Sequence, residues 1–240
     1  MIVVPVSGGK DSQACLKLAI QTGKKVIGLF CDTQHEHPLT YAHIEFMRHW
    51  YGVEIERLCA GSVEDLVIRY GKFPFPLGRF CTEALKIRPS SHWYQQKAIE
   101  LGHGFEVWYG VRKEESVSRA KRYAGKVGDE VYLPHDFMKN YPKRLGKMGV
   151  VFRLPIIDWS EQDVFDFVGE EVNPLYAKGC ARVGCFPCYA SGDANKRQNF
   201  TLDDFGRRQY EKALDLEAIF CSNTLFTKTE DGNGCSICSI

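Results

Sequence analysis

The 240-residue sequence contains no apolar run near the roughly 20 residues that a membrane-crossing helix needs. Its first residues show no signal-peptide pattern. A cytoplasmic protein without a membrane partner is therefore expected. An excess of either charge is also missing, since 31 Lys and Arg stand against 30 Asp and Glu for a net +1. Such a balance exerts no global pull on DNA, RNA or anionic lipid, so any polyanion must be held by a local patch. Internal repeats and low-complexity tracts are absent as well, which argues against a solenoid or a compositionally disordered chain. The seven histidines form no ligand-spaced set, and no Ser-His-Asp arrangement can be read. His35 and His37 fall on an expected loop, where surface placement is the reading and contact with nucleotide or metal the alternative.

Hydrophobic residues make up 44% of the chain and charged residues 25%, an ordinary globular balance that suits one large domain or a domain with a small appendage. Ten cysteines are many for a reducing compartment, where clustered thiols point to metal, cluster or redox chemistry. Cys180, Cys185, Cys188, Cys221, Cys235 and Cys238 crowd toward the end of the chain. Cys15, Cys31 and Cys59 sit in apolar-periodic segments and are read as small buried hydrophobes.

Short apolar runs alternate with amphipathic stretches. Strands are expected at 2–6, 25–31, 53–58, 105–111 and 150–157, and helices at 11–22, 38–51, 62–69, 91–101, 158–168 and 201–220. The spacing predicts an α/β fold with a parallel sheet and helices on both faces. Residues 71–89 read as a Pro/Gly/aromatic loop, 112–147 as a basic irregular stretch, 173–193 as a Gly/Cys loop, and 227–240 as a polar, mobile tail. The division expected is a nucleotide-binding unit over 1–170 and a Cys-rich loop, helix and tail over 171–240.

Between the first strand and the first helix stand Ser7-Gly8-Gly9-Lys10-Asp11-Ser12. Two glycines let the backbone approach an anion, and the helix adds its positive end. Lys10 offers a charge to phosphate oxygens, Ser7 and Ser12 offer hydroxyls, and Asp11 either orients a divalent metal or caps the helix. The spacing is not that of the Walker loop.

This hexapeptide resembles the signature of the PP-loop ATP pyrophosphatases. Asp32-Thr33 with Glu36-His37-Pro38, Gly110-Val111-Arg112 with Glu114-Glu115-Ser116 and Arg119, Pro155-Ile156 with Asp158-Trp159, Asn173-Pro174-Leu175-Tyr176, and Gly184-Cys185-Phe186-Pro187-Cys188 follow in order. Together they resemble the phosphoadenosine-phosphosulfate (PAPS) reductase branch, which also holds the bacterial ATP sulfurylase small subunit and DNA-phosphorothioation enzymes. The resemblance covers about residues 2–190. It implies the Rossmann-like, adenine nucleotide α-hydrolase-like fold with a Cys-rich C-terminal appendage. It implies ATP or another adenine nucleotide with Mg²⁺, held by residues 7–12, by Asp32 and Thr33, and by Arg112 and Arg119.

Cys81, Cys180, Cys185 and Cys188 offer four thiolates, a number that suits a [4Fe–4S] cluster or, as the lesser alternative, zinc. Cluster-bearing reductases of the resembled family carry adjacent cysteines at the first site, whereas Thr82 follows Cys81 here. Tail reductases carry a cysteine after Lys-Thr-Glu, whereas Asp231 follows Lys228-Thr229-Glu230, leaving Cys235 as the first tail thiol. Three functions follow. The first is adenylation of a substrate with pyrophosphate release for sulfur transfer, with Lys10 and Arg112 as catalytic groups. The second is thiol-dependent reduction of adenylyl or phosphoadenylyl sulfate, with Cys235 as the nucleophile. The third is a nucleic-acid modification subunit binding through 112–147, where lysines and arginines interleave with Tyr123, Tyr132 and Tyr141. A sulfur donor or thiol reductant protein and a second copy of the chain are the protein partners considered.

Overall fold

The computed structural model describes residues 1–220 and 224–226. Its sheet has six strands. At its centre β1 (Ile2–Val6) pairs in parallel with β2 (Val26–Asp32) and, on the other side, with a strand at Glu106–Trp108. Numbering along the chain gives β3 (Glu54–Cys59), β4 (Glu106–Trp108), β5 (Val131–Tyr132) and β6 (Val151–Arg153), in the spatial order β3-β2-β1-β4-β6-β5. Only β5 runs antiparallel to its neighbour. The chain is thus an α/β protein with a mostly parallel, Rossmann-like sheet, as the strand–helix alternation predicts.

β1 is apolar on both faces because both are covered. Ile2, Val4 and Val6 face α1 (Lys10–Gln21) and α2 (Pro38–Trp50), while Val3 joins Ile27 and Leu29 on the opposite side. Burying each such side chain contributes about 1.5–3 kcal/mol. The strand is therefore fixed in register where its last residue hands over to the phosphate loop. α3 (Val63–Tyr70) begins with the reciprocal Ser62–Asp65 capping box.

The expected loop 71–89 is helical from Phe80 onward. α4 (Phe80–Thr82) runs through a π turn (Glu83–Ile87) into α5 (Arg88–Leu101). Pro89 has no N–H and would press its ring on a carbonyl one α-turn earlier. The widened turn relieves that conflict, and the Ser90 hydroxyl serves the Lys86 carbonyl at 2.7 Å instead. α5 packs beneath the sheet with α7 (Pro134–Phe137) and α8 (Arg144–Lys147), which lie in the stretch read as irregular together with α6 (Val117–Arg122).

Two expected strands are shorter than their apolar runs. β6 stops at Arg153, before Pro155, and Ile156 and Ile157 are buried from a turn instead. α9 (Glu161–Val168) then packs on α1. The helix expected over 201–220 is α11 (Asp204–Phe220), and a further helix, α10 (Asp193–Thr201), precedes it where none was expected. The Asp203 carboxylate accepts from the Gly206 amide at 3.0 Å and starts α11. These helices pack with α3, Tyr189 and Leu225 in a cluster of their own. No helix among the described residues is long and apolar enough to cross a membrane.

Candidate active site

The strand order reverses between β1 and β4, and in open parallel sheets ligands bind at the carboxyl end of such a switch. A cleft of about 580 Å³ lies there, lined by the 7–12 loop, the 110–115 turn, Arg119, Glu161, Tyr176 and Arg182. Gly8 has φ +75°, and a side chain on it would strike Thr40. Gly110 presses directly on the backbone of Asp11, so β4 peels away from its neighbours earlier than its apolar run suggests. The Ser12 hydroxyl donates to the Gly9 carbonyl at 2.8 Å and accepts from the Ser7 amide at 3.1 Å, which closes the loop. The first-turn amides of α1 have no carbonyl partner one turn back, and the start of the helix lines the cleft.

Lys10 is 3% exposed. Its amide donates to the Tyr176 hydroxyl at 3.0 Å, and its ammonium lies over the rings of Tyr176 and Phe165. That ammonium is 2.9 Å from Glu161 and 3.6 Å from Asp11. Arg112, equally buried, pairs with Asp11 and with Glu114 at 2.9 Å. Arg119 pairs with Glu115, and Arg182 reaches the same carboxylate at 3.7 Å. Burial and the neighbouring Arg182 charge lower the Arg119 pKa to about 10. Ser7, Gly9, Lys10, Asp11, Ser12, Arg112 and Arg119 are thus gathered around one space. Glu161, Tyr176 and Arg182 belong with them and were not singled out from the sequence, although Tyr176 stands in the Asn-Pro-Leu-Tyr run.

Asp32 and Thr33 do not line that cleft. Asp32 is fully buried and accepts from Gln34 N at 2.8 Å, Tyr41 Oη at 2.8 Å and Arg57 Nε at 2.7 Å. Burial pushes its pKa up, but these donors prevail and hold it low. Thr33 donates to Glu36 at 2.7 Å and touches the Cys185 sulfur at 3.4 Å. His35 and His37, read as surface residues, are buried fasteners. His35 Nε2 meets the Pro187 carbonyl at 3.0 Å, and His37 caps α2 with Nδ1 while Nε2 meets Asp203 at 3.0 Å. They pin the Cys185–Cys188 loop to the end of β2.

A second cavity, of about 200 Å³, shares Ser7 with the cleft. Cys31, Glu36, Lys86, Gly184, Tyr94, Tyr109 and Tyr141 are among the residues that line it. The Lys86 ammonium, presented by the π turn, is raised above its ordinary pKa by Cys185 and Glu36 against the opposing effect of burial. Burial pushes Cys185 up to about 11, with Lys86 pulling the other way. Burial raises the Cys81 thiol above its ordinary pKa, the nearby Cys188 adds to the rise, and Lys86 pulls the other way. Cys31 is thus no plain core residue, and Cys59 is exposed beside Gln34. Sequence reasoning missed Lys86 because the segment carrying it was read as a loop.

Cys180 does not join these thiols. It is buried against Leu175 and Phe186, with Asn199 Oδ1 3.9 Å from its sulfur. Among the described residues no three His, Cys, Asp or Glu side chains converge as ligands of a metal ion. The four-thiolate set expected for a [4Fe–4S] cluster or zinc is therefore not assembled. Cys235, with Cys221 and Cys238, lies outside the described residues.

A family model described as phosphoadenosine phosphosulfate reductase domain matches residues 1–191. An uncharacterized 37.8 kDa protein of Escherichia phage 186 is 28% identical over 283 aligned positions, covering 95% of this chain and 80% of that protein. Adenosine 5'-phosphosulfate reductase of Burkholderia cepacia is 28% identical over 173, covering 68% of this chain and 59% of the enzyme. Against several other curated relatives the chain spans as little as 38% of their length. A crystal structure of phosphoadenylyl-sulfate reductase from Candida auris, in a phosphate complex, superposes with a TM-score of 0.49 at 19% identity, covering 77% of this chain and 81% of that one.

Proposed function

The chain belongs to the phosphoadenosine phosphosulfate reductase domain family, and from that premise we propose that it binds ATP and adenylates an acceptor, releasing pyrophosphate, in the service of sulfur transfer. The observation that carries this reading is the set of buried and half-buried cations, Lys10, Arg112 and Arg119 with Arg182 above them, in a cleft large enough for a phosphate chain. An acceptor oxygen attacks the α-phosphorus while the bond to the β-phosphate oxygen breaks. Lys10 and Arg112 hold the charge that builds on the departing pyrophosphate, and the α1 amides hold the phosphate chain in line. Magnesium bound with the nucleotide would neutralise phosphate charge and polarise the phosphoryl oxygens, and Asp11, which lines the cleft, would be the carboxylate to hold it. The second cavity, joined at Ser7, receives the remainder of the nucleotide or the acceptor, with the Cys31, Cys185 and Lys86 group as the place where sulfur is handled. In this reading residues 1–170 carry the nucleotide, and the Cys-rich segment from 171 roofs the site with Tyr176 and Arg182.

Reduction of a sulfonucleotide is the second reading, favoured by the relative named as an adenosine 5'-phosphosulfate reductase and by the thiols around Lys86. The test is pyrophosphate release from Mg-ATP across candidate acceptors. Lys10→Ala is expected to lower release by roughly 10²–10³-fold, the usual cost of removing a group that stabilises developing charge. Sulfite formed from a sulfonucleotide with a dithiol, and no pyrophosphate from any acceptor, would transfer the conclusion to the second reading.

A further inference from the structure

A loop that ends at a helix offers the free amides of the first turn to an anion. In this cleft the first of those amides is already taken. The Lys10 N–H, at the first position of α1, donates to the Tyr176 hydroxyl at 3.0 Å. Gly9 makes the approach possible, because a side chain on it would come within 3.3 Å of Tyr176 Oη and 3.0 Å of the Val183 carbonyl. Tyr176 belongs to the Cys-rich segment and is fastened there. Its amide donates to the Asn173 carbonyl at 3.0 Å, Asn173 Nδ2 donates to the Gly8 carbonyl at 3.1 Å, and the Phe165 ring meets its ring edge-on.

A phenol oxygen that accepts from an amide still has a proton to give. Among the described residues nothing accepts the Tyr176 proton, and the side chain lines the cleft beside Lys10, Asp11 and Arg182. Burial raises the Tyr176 pKa, with the Lys10 amide and Arg182 pulling the other way, so the hydroxyl stays protonated at neutral pH. We propose that Tyr176 is a ligand-binding residue whose hydroxyl, oriented by the Lys10 amide, donates to a phosphate oxygen and carries the first amide of α1 one hydrogen bond further into the cleft. The proposal rests on the phosphate-binding reading of this cleft and adds to its cations a neutral donor from outside the 7–12 loop. Accepting from an N–H makes the hydroxyl a stronger donor, because bonds in a chain polarise one another. Through Tyr176 the Cys-rich segment takes part in holding the nucleotide as well as covering it.

The experiment measures binding of tripolyphosphate and of adenosine by calorimetry, to the full chain and to Tyr176→Phe, which keeps the ring and removes the hydroxyl. Tripolyphosphate affinity is expected to fall by about 10–100-fold, the scale of one hydrogen bond to a charged group, while adenosine binds as in the wild type. Tyr176→4-aminophenylalanine, whose N–H groups donate but whose nitrogen accepts poorly, should recover most of the lost affinity. The opposite outcome has its own sign. If the hydroxyl only caps the Lys10 amide, Tyr176→Phe frees that amide, and tripolyphosphate binds as tightly as before or more tightly, which overturns the proposal. Equal losses for both ligands overturn it too, as a defect of packing. So does a 4-aminophenylalanine variant that melts like the wild type yet binds as weakly as Tyr176→Phe. Tripolyphosphate that fails to bind the wild type removes the phosphate reading itself, whereas binding that ignores the hydroxyl leaves that reading standing.

Discussion

His35 is a polar residue whose role changes once its surroundings are known. It is two residues from His37 in a segment that reads as an exposed loop, yet it is buried against Tyr189 and meets the Pro187 carbonyl. Removal from water lowers its pKa to about 4 from an ordinary 6.5, and burial lowers His43 in the same direction. Because the folded-state value is depressed, the unfolded chain binds the extra proton between about pH 6.5 and 4. Stability is then complete above the upper limit and declines as the pH falls through that window. For His35 alone the loss at pH 5 is roughly 2 kcal/mol as an upper bound. Urea unfolding at pH 7.5 and pH 5 is expected to show this decline, and His35→Gln, which can still donate to Pro187, should flatten it. A wild-type stability that is level across the window would contradict the burial of this residue. The same difficulty of scale hid Lys86 and Cys31. A lysine between Leu85 and Ile87 and a cysteine at the end of an apolar strand carry no mark of their meeting until the sheet brings their segments together.

At the level of elements, the parallel sheet and the Ser-Gly-Gly-Lys-Asp-Ser turn were legible because each rests on local pattern: β-branched runs, helical periodicity, capping residues and glycines before a helix. Element ends were less legible where a neighbour decides them. The 105–111 run is apolar enough for a longer strand, but Gly110 leaves the sheet to lie against the backbone of Asp11. That contact fixes the distance between the start of α1 and Arg112, and so the width of the phosphate cleft. An alanine at Gly110 would force the two segments apart at the one place where no side chain can yield. Gly110→Ala is therefore expected to weaken tripolyphosphate or ATP binding by about tenfold or more, equivalent to ~1.4 kcal/mol, with the far-ultraviolet spectrum preserved. Binding at wild-type strength would show that the β4 turn does not set the cleft. The π turn before Pro89 is the converse case. Its proline argued for a loop, and the helix widened around it instead.

Over the whole molecule the even charge conceals a local concentration. Residues 112–147 hold ten Lys and Arg against five Asp and Glu. Interleaved tyrosines made this stretch resemble a groove for stacked bases, because the linear pattern does not tell which ring faces outward. In the fold Tyr123 and Tyr141 are buried beneath the sheet, and Tyr132 is covered by the Lys126 ammonium at 3.9 Å. Arg112 and Arg119 turn inward to the phosphate cleft. Lys121, Arg122, Lys143, Arg144 and Lys147 remain exposed and make no ion pair among the described residues. Any nucleic acid held here meets charge alone, so affinity should depend on salt and not on base identity. Five phosphate contacts on a single strand correspond to a slope of about −3.5 in log affinity against log salt, or a loss of roughly 100-fold between 50 and 200 mM. Replacing Lys143, Arg144 and Lys147 together by alanine should bring that slope to about −1.4. Tyrosine fluorescence should stay unquenched throughout, since stacking requires an open ring face. Quenching with a shallow salt dependence would mean that the rings reach the bases, and that the burial of Tyr123 and Tyr141 gives way when a strand binds.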